Sequence, residues 1–377
     1  MAMTKVRVLF VMSDLGGGGA ERSLLELLGR LDRSRIQPCL FLLKRQGVHL
    51  ERVPADVECS WGCESGDRLR YRIPSILRHA LIQGAPADVI VGAMETGATY
   101  VAWLAAAVLL KPLVGWVRTD LHEYLLPQSV WHRWAAKQIY PRCDAVVVPS
   151  HGSERSLQRV AALSRASLHI LPNPVDPEEV RKMASQPMIP AMRELPARPF
   201  VLGVGRLNAT QKGFDLLIRA HAEVRRRGFD HNLVILGEGE DRELLQQMAR
   251  SLGVAESVFL PGFQQNPFPF FRAAAALAAP ARLDGFGRVY LEAMALGLPV
   301  IGSTASGPME ILDSGKYGIV VPSEDVGALS DAMCALLGDA GAHERYSQLA
   351  LARANAFCPQ AVATQWNELL CTLAIRK

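Results

Sequence analysis

A run of four glycines, a loop with two cations and a loop with two carboxylates carry most of the chemistry legible in this chain of 377 residues. In SDLGGGGAERSLLELLGRL, residues 13 to 31, the apolar run Val6–Met12 gives way to Gly16–Gly19 and then to a helical pattern. Glycines let the backbone approach a ligand closely, and a helix N-terminus offers free N–H groups and a positive dipole end; phosphate is the natural guest. A tight strand-to-helix turn that needs glycine only for packing has the same pattern. The G-x-G-x-x-G spacing is imperfect, and Lys44 and Arg45 stand where a dinucleotide site would place an acid after the second strand. Both features weigh against a dinucleotide oxidoreductase.

GRLNATQKG, residues 205 to 213, follows the run FVLGV. Gly205 permits a close turn, and Arg206 and Lys212 put two cations beside one strand end, which suits a diphosphate. Two solvated surface cations are the alternative. In RLDGFGRVYLEAMALGLPVI, residues 282 to 301, Asp284 and Glu292 flank Gly285, Phe286 and Gly287. Carboxylates accept two O–H bonds at once, as sugar diols require, and the glycines open the backbone N–H groups to the same ligand. A turn-forming Asp284 and a Glu292 that only complements a helix dipole are the other reading. STASGPMEIL, 303 to 312, places Gly307 at a further helix start.

These loops need strands behind them. Val6–Met12, Pro38–Leu43, Val89–Ala93, Leu113–Val117, Ala145–Pro149 and Leu168–Leu171 read as short strands separated by amphipathic segments. The rhythm restarts at Phe200–Val204 and runs through Leu233–Leu236, Ser257–Leu260, Ala275–Ala279, Val300–Gly302 and Gly318–Val321. Alternation of this kind predicts parallel sheets, hence two doubly wound α/β domains, with ligands outside the C-terminal ends of the strands. The proline-dense stretch from Pro172 to Pro199 reads as the linker. The expected domains are 1–180 and 190–357, with a C-terminal helix, about 358–377, able to pack back on the first.

Composition narrows the class. A net charge of +4 is too small to define a nucleic-acid binder, and the excess is one-sided, with 23 basic and 18 acidic residues over 1–190 against 18 and 19 in the rest. Seven cysteines at irregular spacing make neither a disulfide framework nor a zinc site, so a reduced cytoplasm is expected. The most apolar stretch, Ala98 to Leu110, is too short for a membrane span of about 20 residues.

Taken in order, the GGGGAE loop, GRLNATQKG, the acidic pair around GFG and SGPMEIL resemble the retaining glycosyltransferases of family 4, across nearly the whole chain. The resemblance implies the GT-B fold, two Rossmann-like doubly wound parallel-sheet domains facing an interdomain cleft, with the nucleotide sugar on the second and the acceptor on the first. It implies Arg206 and Lys212 on the donor diphosphate, Glu292 on the ribose, and Asp284 with Gly285, Phe286 and Gly287 on the transferred hexose. Gly16, Gly17 and Gly18 would close over the phosphates, Gly205 and Gly307 would line the donor site, and Phe263 would lie near the base. The family's acidic pair usually begins with Glu, here the shorter Asp284. Many members carry a His where Arg118 stands, with His122 four residues on. Retaining transfer of this type uses front-face attack, the departing diphosphate taking the acceptor's proton; no metal and no cofactor is required.

The expected activity is transfer of a hexose from a UDP-sugar to a saccharide acceptor with an α-linkage, as in surface-glycan biosynthesis. A nucleotide-sugar epimerase of the same fold and a non-catalytic two-domain sugar-binding protein are the competing readings. DRLRYRIPSILRH (67–79) and SVWHRWAAKQIYPR (129–142) combine basic and aromatic residues that can lie on anionic lipid, which would suit a lipid-linked acceptor and peripheral contact with the inner face of a membrane. Tryptophans buried beneath solvated helix faces are the alternative.

Overall fold

The computed structural model describes residues 5–163, 168–187, 197–357 and 359–375. The chain forms two compact units, one of Met1–Pro174 with Pro359–Lys377, the other of Val175–Cys358. The first holds seven strands: β1 Val6–Met12, β2 Ile36–Leu42, β3 Glu58–Trp61, β4 Val89–Gly92, β5 Leu113–Trp116, β6 Ala145–Val148 and β7 Leu168–Ile170. All pair in parallel in the order β3-β2-β1-β4-β5-β6-β7. The second holds β8 Phe200–Val204, β9 Asn232–Leu236, β10 Val258–Gly262, β11 Ala276–Ala279, β12 Val300–Ser303 and β13 Ile319–Val321, also parallel, in the order β10-β9-β8-β11-β12-β13.

Helices cover both faces of each sheet, which is why the central strands are continuous apolar runs instead of alternating ones. In the first unit one face carries the helices Leu69–Gly84, Gly97–Leu109, Val130–Ile139 and His151–Val160, and the other carries Gly19–Arg30 and the C-terminal helix Pro359–Ile375. That last helix drives the buried Trp366 against Trp116, ring centroids 4.6 Å apart, and against Phe10. Among the described residues, no helix is long and apolar enough to cross a membrane.

Strand order reverses between β1 and β4 in the first sheet and between β8 and β11 in the second. Chains leaving such neighbours diverge to opposite faces and open a crevice at the strand ends. This places the loops after β1 and β8, where the glycines and cations were found, at the two crevices.

Two expectations change. ECSW, not read as a strand, is β3: it is a short edge strand with no fully buried residue, so it lacks the apolar signature of its neighbours. The proline-dense stretch is not linker throughout, because Pro177–Ala184 is helical. Asp176 caps it by accepting the Glu178 N–H at 2.9 Å, and a proline at the first helical position has no N–H to lose. Val180 and Ala184 then enter the core of the second unit. Residues 188–196 of that stretch lie outside the described residues.

Candidate functional site

The second unit builds its site from two loops pressed together. After β8, Gly205 lies under the Lys212 stem, and Asn208 caps the short helix Ala209–Lys212 by accepting the Gln211 N–H at 3.0 Å. Gly213 ends that helix at φ +68, a left-handed conformation that favours glycine, and a Cβ there would lie 2.1 Å from the Pro280 carbonyl oxygen. The loop after β11 is therefore in contact with the loop after β8. Arg282 and Leu283 both donate their N–H to Gln211 O, at 2.8 and 3.1 Å.

Arg282 completes the brace. Its guanidinium donates to Ala209 O (2.6 Å), to both Asp215 oxygens (2.7 and 2.9 Å) and to Glu324, a fork that a lysine could not reproduce. Burial works against the Asp215 carboxylate, yet the hydrogen bonds and charge of Arg282 bring its pKa below the ordinary value. Glu324 holds a φ of +67, uncommon for a residue with a side chain, while it reaches this arginine.

The brace brings Lys212 and Asp284 together: Lys212 Nζ lies 3.0 Å from Asp284 Oδ2. Asp284 Oδ1 accepts the Phe286 N–H at 3.2 Å, and its carbonyl accepts the Gly307 N–H at 2.9 Å. A Cβ at Gly307 would lie 2.6 Å from the Phe286 backbone. The N–H groups of Phe286 and Gly307, expected to face a ligand, are thus committed to Asp284, and Gly307 serves close packing of the two loops. Gly287 adopts φ +83 at the start of the helix Arg288–Met294, with Gly285 and Phe286 buried before it.

Arg206, in the same loop as Lys212, is exposed and carries no ion pair to any described residue. Glu292 is only 3% exposed and meets Arg288 Nε at 2.7 Å, one helical turn away. Arg288 was not singled out from the sequence, although an Arg and a Glu four apart on a helix are the expected signal. Phe263 is partly exposed just past the end of β10, two strands from β8.

Gly16–Gly18 and Arg118 belong to the first unit. The glycine loop carries carboxylates of its own: Asp14 accepts the Gly16 N–H at 2.9 Å, and a Cβ on Gly18 would fall 2.4 Å from a Glu21 oxygen. One of the N–H groups expected for a phosphate is therefore already used, and Glu21 occupies the first turn of the helix Gly19–Arg30. Gly17 is exposed.

Arg118 follows β5 and is buried. Its guanidinium lies 3.8 Å above the Trp116 ring and donates to Ala20 O at 2.8 Å. A carboxylate that sequence reasoning missed fixes its backbone: Glu95, after β4 and 6% exposed, accepts the N–H groups of both Arg118 and Thr119 on one oxygen. Burial pushes the Glu95 pKa up, against the pull of those N–H donors. The next residue, Thr96, holds φ +58 and ψ −115, a strained conformation for a β-branched side chain. His122 sits at the start of a short helix, where its N–H donates to Ser156 Oγ at 2.8 Å and its ring approaches Glu123.

Two doubly wound units, each with glycine-bearing loops at the reversal of its strand order, define the GT-B class of fold. Anabaena HepE, solved with UDP-glucose, has this fold at a TM-score of 0.82, with 20% identity over 97% of this chain and 99% of that one. Residues 17–179 match the family described as Glycosyltransferase Family 4, and residues 198–339 match Glycosyl transferases group 1. The two matches cover most of the chain, which belongs to the group 1, family 4 glycosyltransferases. It is 42% identical over 220 residues to a GDP-mannose-dependent alpha-(1-6)-phosphatidylinositol monomannoside mannosyltransferase of Mycolicibacterium smegmatis, covering 55% of this chain and 56% of that protein. The likeness thus spans little more than half of that relative's length. An alpha-D-kanosaminyltransferase of Streptomyces kanamyceticus is 27% identical over 76% of this chain and 74% of its own.

Proposed function

We propose that this chain is a retaining, metal-independent glycosyltransferase that moves a hexose from a nucleotide sugar, a UDP-sugar, onto a saccharide acceptor with an α-linkage. The observation that carries the reading is the cationic loop after β8, in which Lys212 is held at Asp284 and Arg206, six residues earlier, is exposed. A nucleoside diphosphate arriving there meets Arg206 directly and draws Lys212 from Asp284, which frees the Asp284 carboxylate for a sugar hydroxyl. The bond from the anomeric carbon to the diphosphate breaks, the acceptor oxygen bonds on the same face, and its proton passes to the leaving phosphate. The protein's part is to neutralise charge developing on that leaving group, which cations already seated on the bound diphosphate do without further rearrangement. Glu292 would hold ribose hydroxyls, Phe263 would lie near the base, and Gly205, Gly285, Phe286, Gly287 and Gly307 would shape the donor site.

In the first unit we assign Arg118 to the reaction as an anion or sugar-oxygen ligand, and Gly16–Gly18 to the donor phosphates. The acceptor is a saccharide on a lipid carrier, met at the inner, cytoplasmic face of a membrane. A second reading, GDP-mannose as donor, is favoured by the likeness to the GDP-mannose-dependent mannosyltransferase of Mycolicibacterium smegmatis.

Transfer from a panel of UDP- and GDP-sugars tests both readings. Lys212→Ala and Arg206→Ala are each expected to lower kcat/KM about a hundredfold with the fold intact by circular dichroism. Full activity in both variants would overturn the diphosphate site. Conversion of donor without acceptor would instead identify an epimerase.

A further inference from the structure

The basic and aromatic stretches of the first unit find no use in sugar transfer. The structure decides whether their aromatic residues are core or surface. Trp131 and Trp134 are 56% and 58% exposed, Tyr71 and Ile73 are exposed on the helix Leu69–Gly84, and Val108 is exposed on Gly97–Leu109. Leu110, which ends that helix in a left-handed conformation, is 86% exposed. These helices lie together on one face of the sheet. The helix Leu69–Gly84 packs on Gly97–Leu109, and Tyr100 of the latter meets Trp131 edge-on at 5.2 Å while its hydroxyl lies 3.1 Å from the His132 ring.

Charge on these helices has one sign. Leu69–Gly84, Gly97–Leu109 and Val130–Ile139 contain no Asp or Glu, and they carry Arg70, Arg72, Arg78, Arg133 and Lys137. Arg70 lies over the Tyr71 ring at 4.7 Å, Arg133 donates to Leu126 O at 3.0 Å, and Arg72 pairs with Asp67, which precedes the first helix. Their inner faces supply the alanine-rich core against the sheet, so the apolar residues on the outer faces are surplus to folding. Exposed tryptophans and cations carried on helices that contain no acid match the headgroup layer of a bilayer, where indole rings settle and anionic lipid attracts Lys and Arg.

We propose that the outer face of these three helices docks on an anionic lipid bilayer. The docking is peripheral: side chains enter the headgroup layer and no element crosses it. Attraction of this kind is screened by salt, while the tryptophan contribution is not.

The test is co-sedimentation of the full chain with vesicles of phosphatidylcholine alone or with 30% phosphatidylglycerol, at low and high salt. The expected result is binding to the anionic vesicles, at least tenfold weaker on pure phosphatidylcholine and weakened by salt. Trp131→Ser with Trp134→Ser, and separately Arg70→Ala with Arg78→Ala, are each expected to weaken binding at least tenfold while the fold stays intact by circular dichroism. Leu252→Ala, an exposed apolar residue of the second unit, should leave binding unchanged. Failure to bind, equal binding to both vesicle types, or unaltered binding by both double variants would overturn the proposal. So would a dimer in light scattering that the tryptophan variant splits, since the face would then belong to a second copy. Vesicle binding is read without donor or acceptor, so its failure is separate from any failure of sugar transfer.

Discussion

Acid should loosen the second unit through one buried pair. His221 Nδ1 lies 2.9 Å from His231 Nε2, His221 Nε2 lies 2.8 Å from Ser257 Oγ, and His231 Nδ1 lies 3.1 Å from Phe229 O. A carbonyl can only accept, so His231 carries its proton on Nδ1 and His221 donates from Nδ1 to His231 Nε2; His221 Nε2 is then the acceptor for the Ser257 hydroxyl, which lies nearer to it, at 2.8 Å, than to the Val254 carbonyl that competes for the same proton at 3.1 Å. The chain is satisfied with both rings neutral. Burial, then the charge of its neighbours, lowers the His221 pKa to about 3, and burial lowers that of His231 too. Unfolded imidazoles take up protons below about pH 6.5, whereas folded His221 does not until about pH 3, so stability falls as pH drops through that window and is flat above it. At pH 5 the loss from His221 alone is about 2 kcal/mol, 1.36 kcal/mol for each of about 1.5 pH units. All six tryptophans lie in the first unit, at positions 61, 103, 116, 131, 134 and 366, so far-ultraviolet circular dichroism against tryptophan emission separates the two urea transitions. His221→Asn should be less stable at pH 7.5 and lose about 2 kcal/mol less than the parent on going to pH 5. An identical loss in parent and variant would refute the neutral buried pair.

Two further outcomes follow from packing. Glu95→Ala should speed amide hydrogen exchange at Arg118 and Thr119 and cost about 1–3 kcal/mol by stranding N–H groups, while Glu95→Gln, which keeps an accepting oxygen, should protect both amides; unchanged exchange in the alanine variant would remove Glu95 as the brace. Gly307→Ala should cost about 1–3 kcal/mol in urea denaturation and lower transfer activity, because the new methyl meets the Phe286 backbone; a variant with parental stability would show that the two loops part freely.

Local pattern made much of this legible. Apolar runs such as VRVLFVM and FVLGV lie at the sheet centres, and the glycine and cation loops after them reach the strand-order reversals for the reasons that any doubly wound sheet imposes. What escaped was non-local or weakly patterned. Asp284 and Lys212, 72 residues apart, were visible as separate ligands but not as partners. Glu95 meets Arg118 from 23 residues away, and Arg282 meets Asp215 from 67, contacts that only the sheet order creates. The edge strand ECSW failed for lack of burial, and the helix Pro177–Ala184 was hidden because proline was read as a breaker at a position where it starts a helix.

The return of Pro359–Ile375 to the first unit has a consequence for biogenesis. The part of the sheet face around Phe10 and Trp116 that Gly19–Arg30 leaves open is covered only when Trp366 emerges from the ribosome, after the whole of the second unit has been made. Vectorial synthesis usually finishes domains from the N-terminus. Here the order is inverted: the sheet of the first unit must wait, partly uncovered, and a chain stopped short of Pro359–Ile375 leaves the Trp116 indole without Trp366 against it.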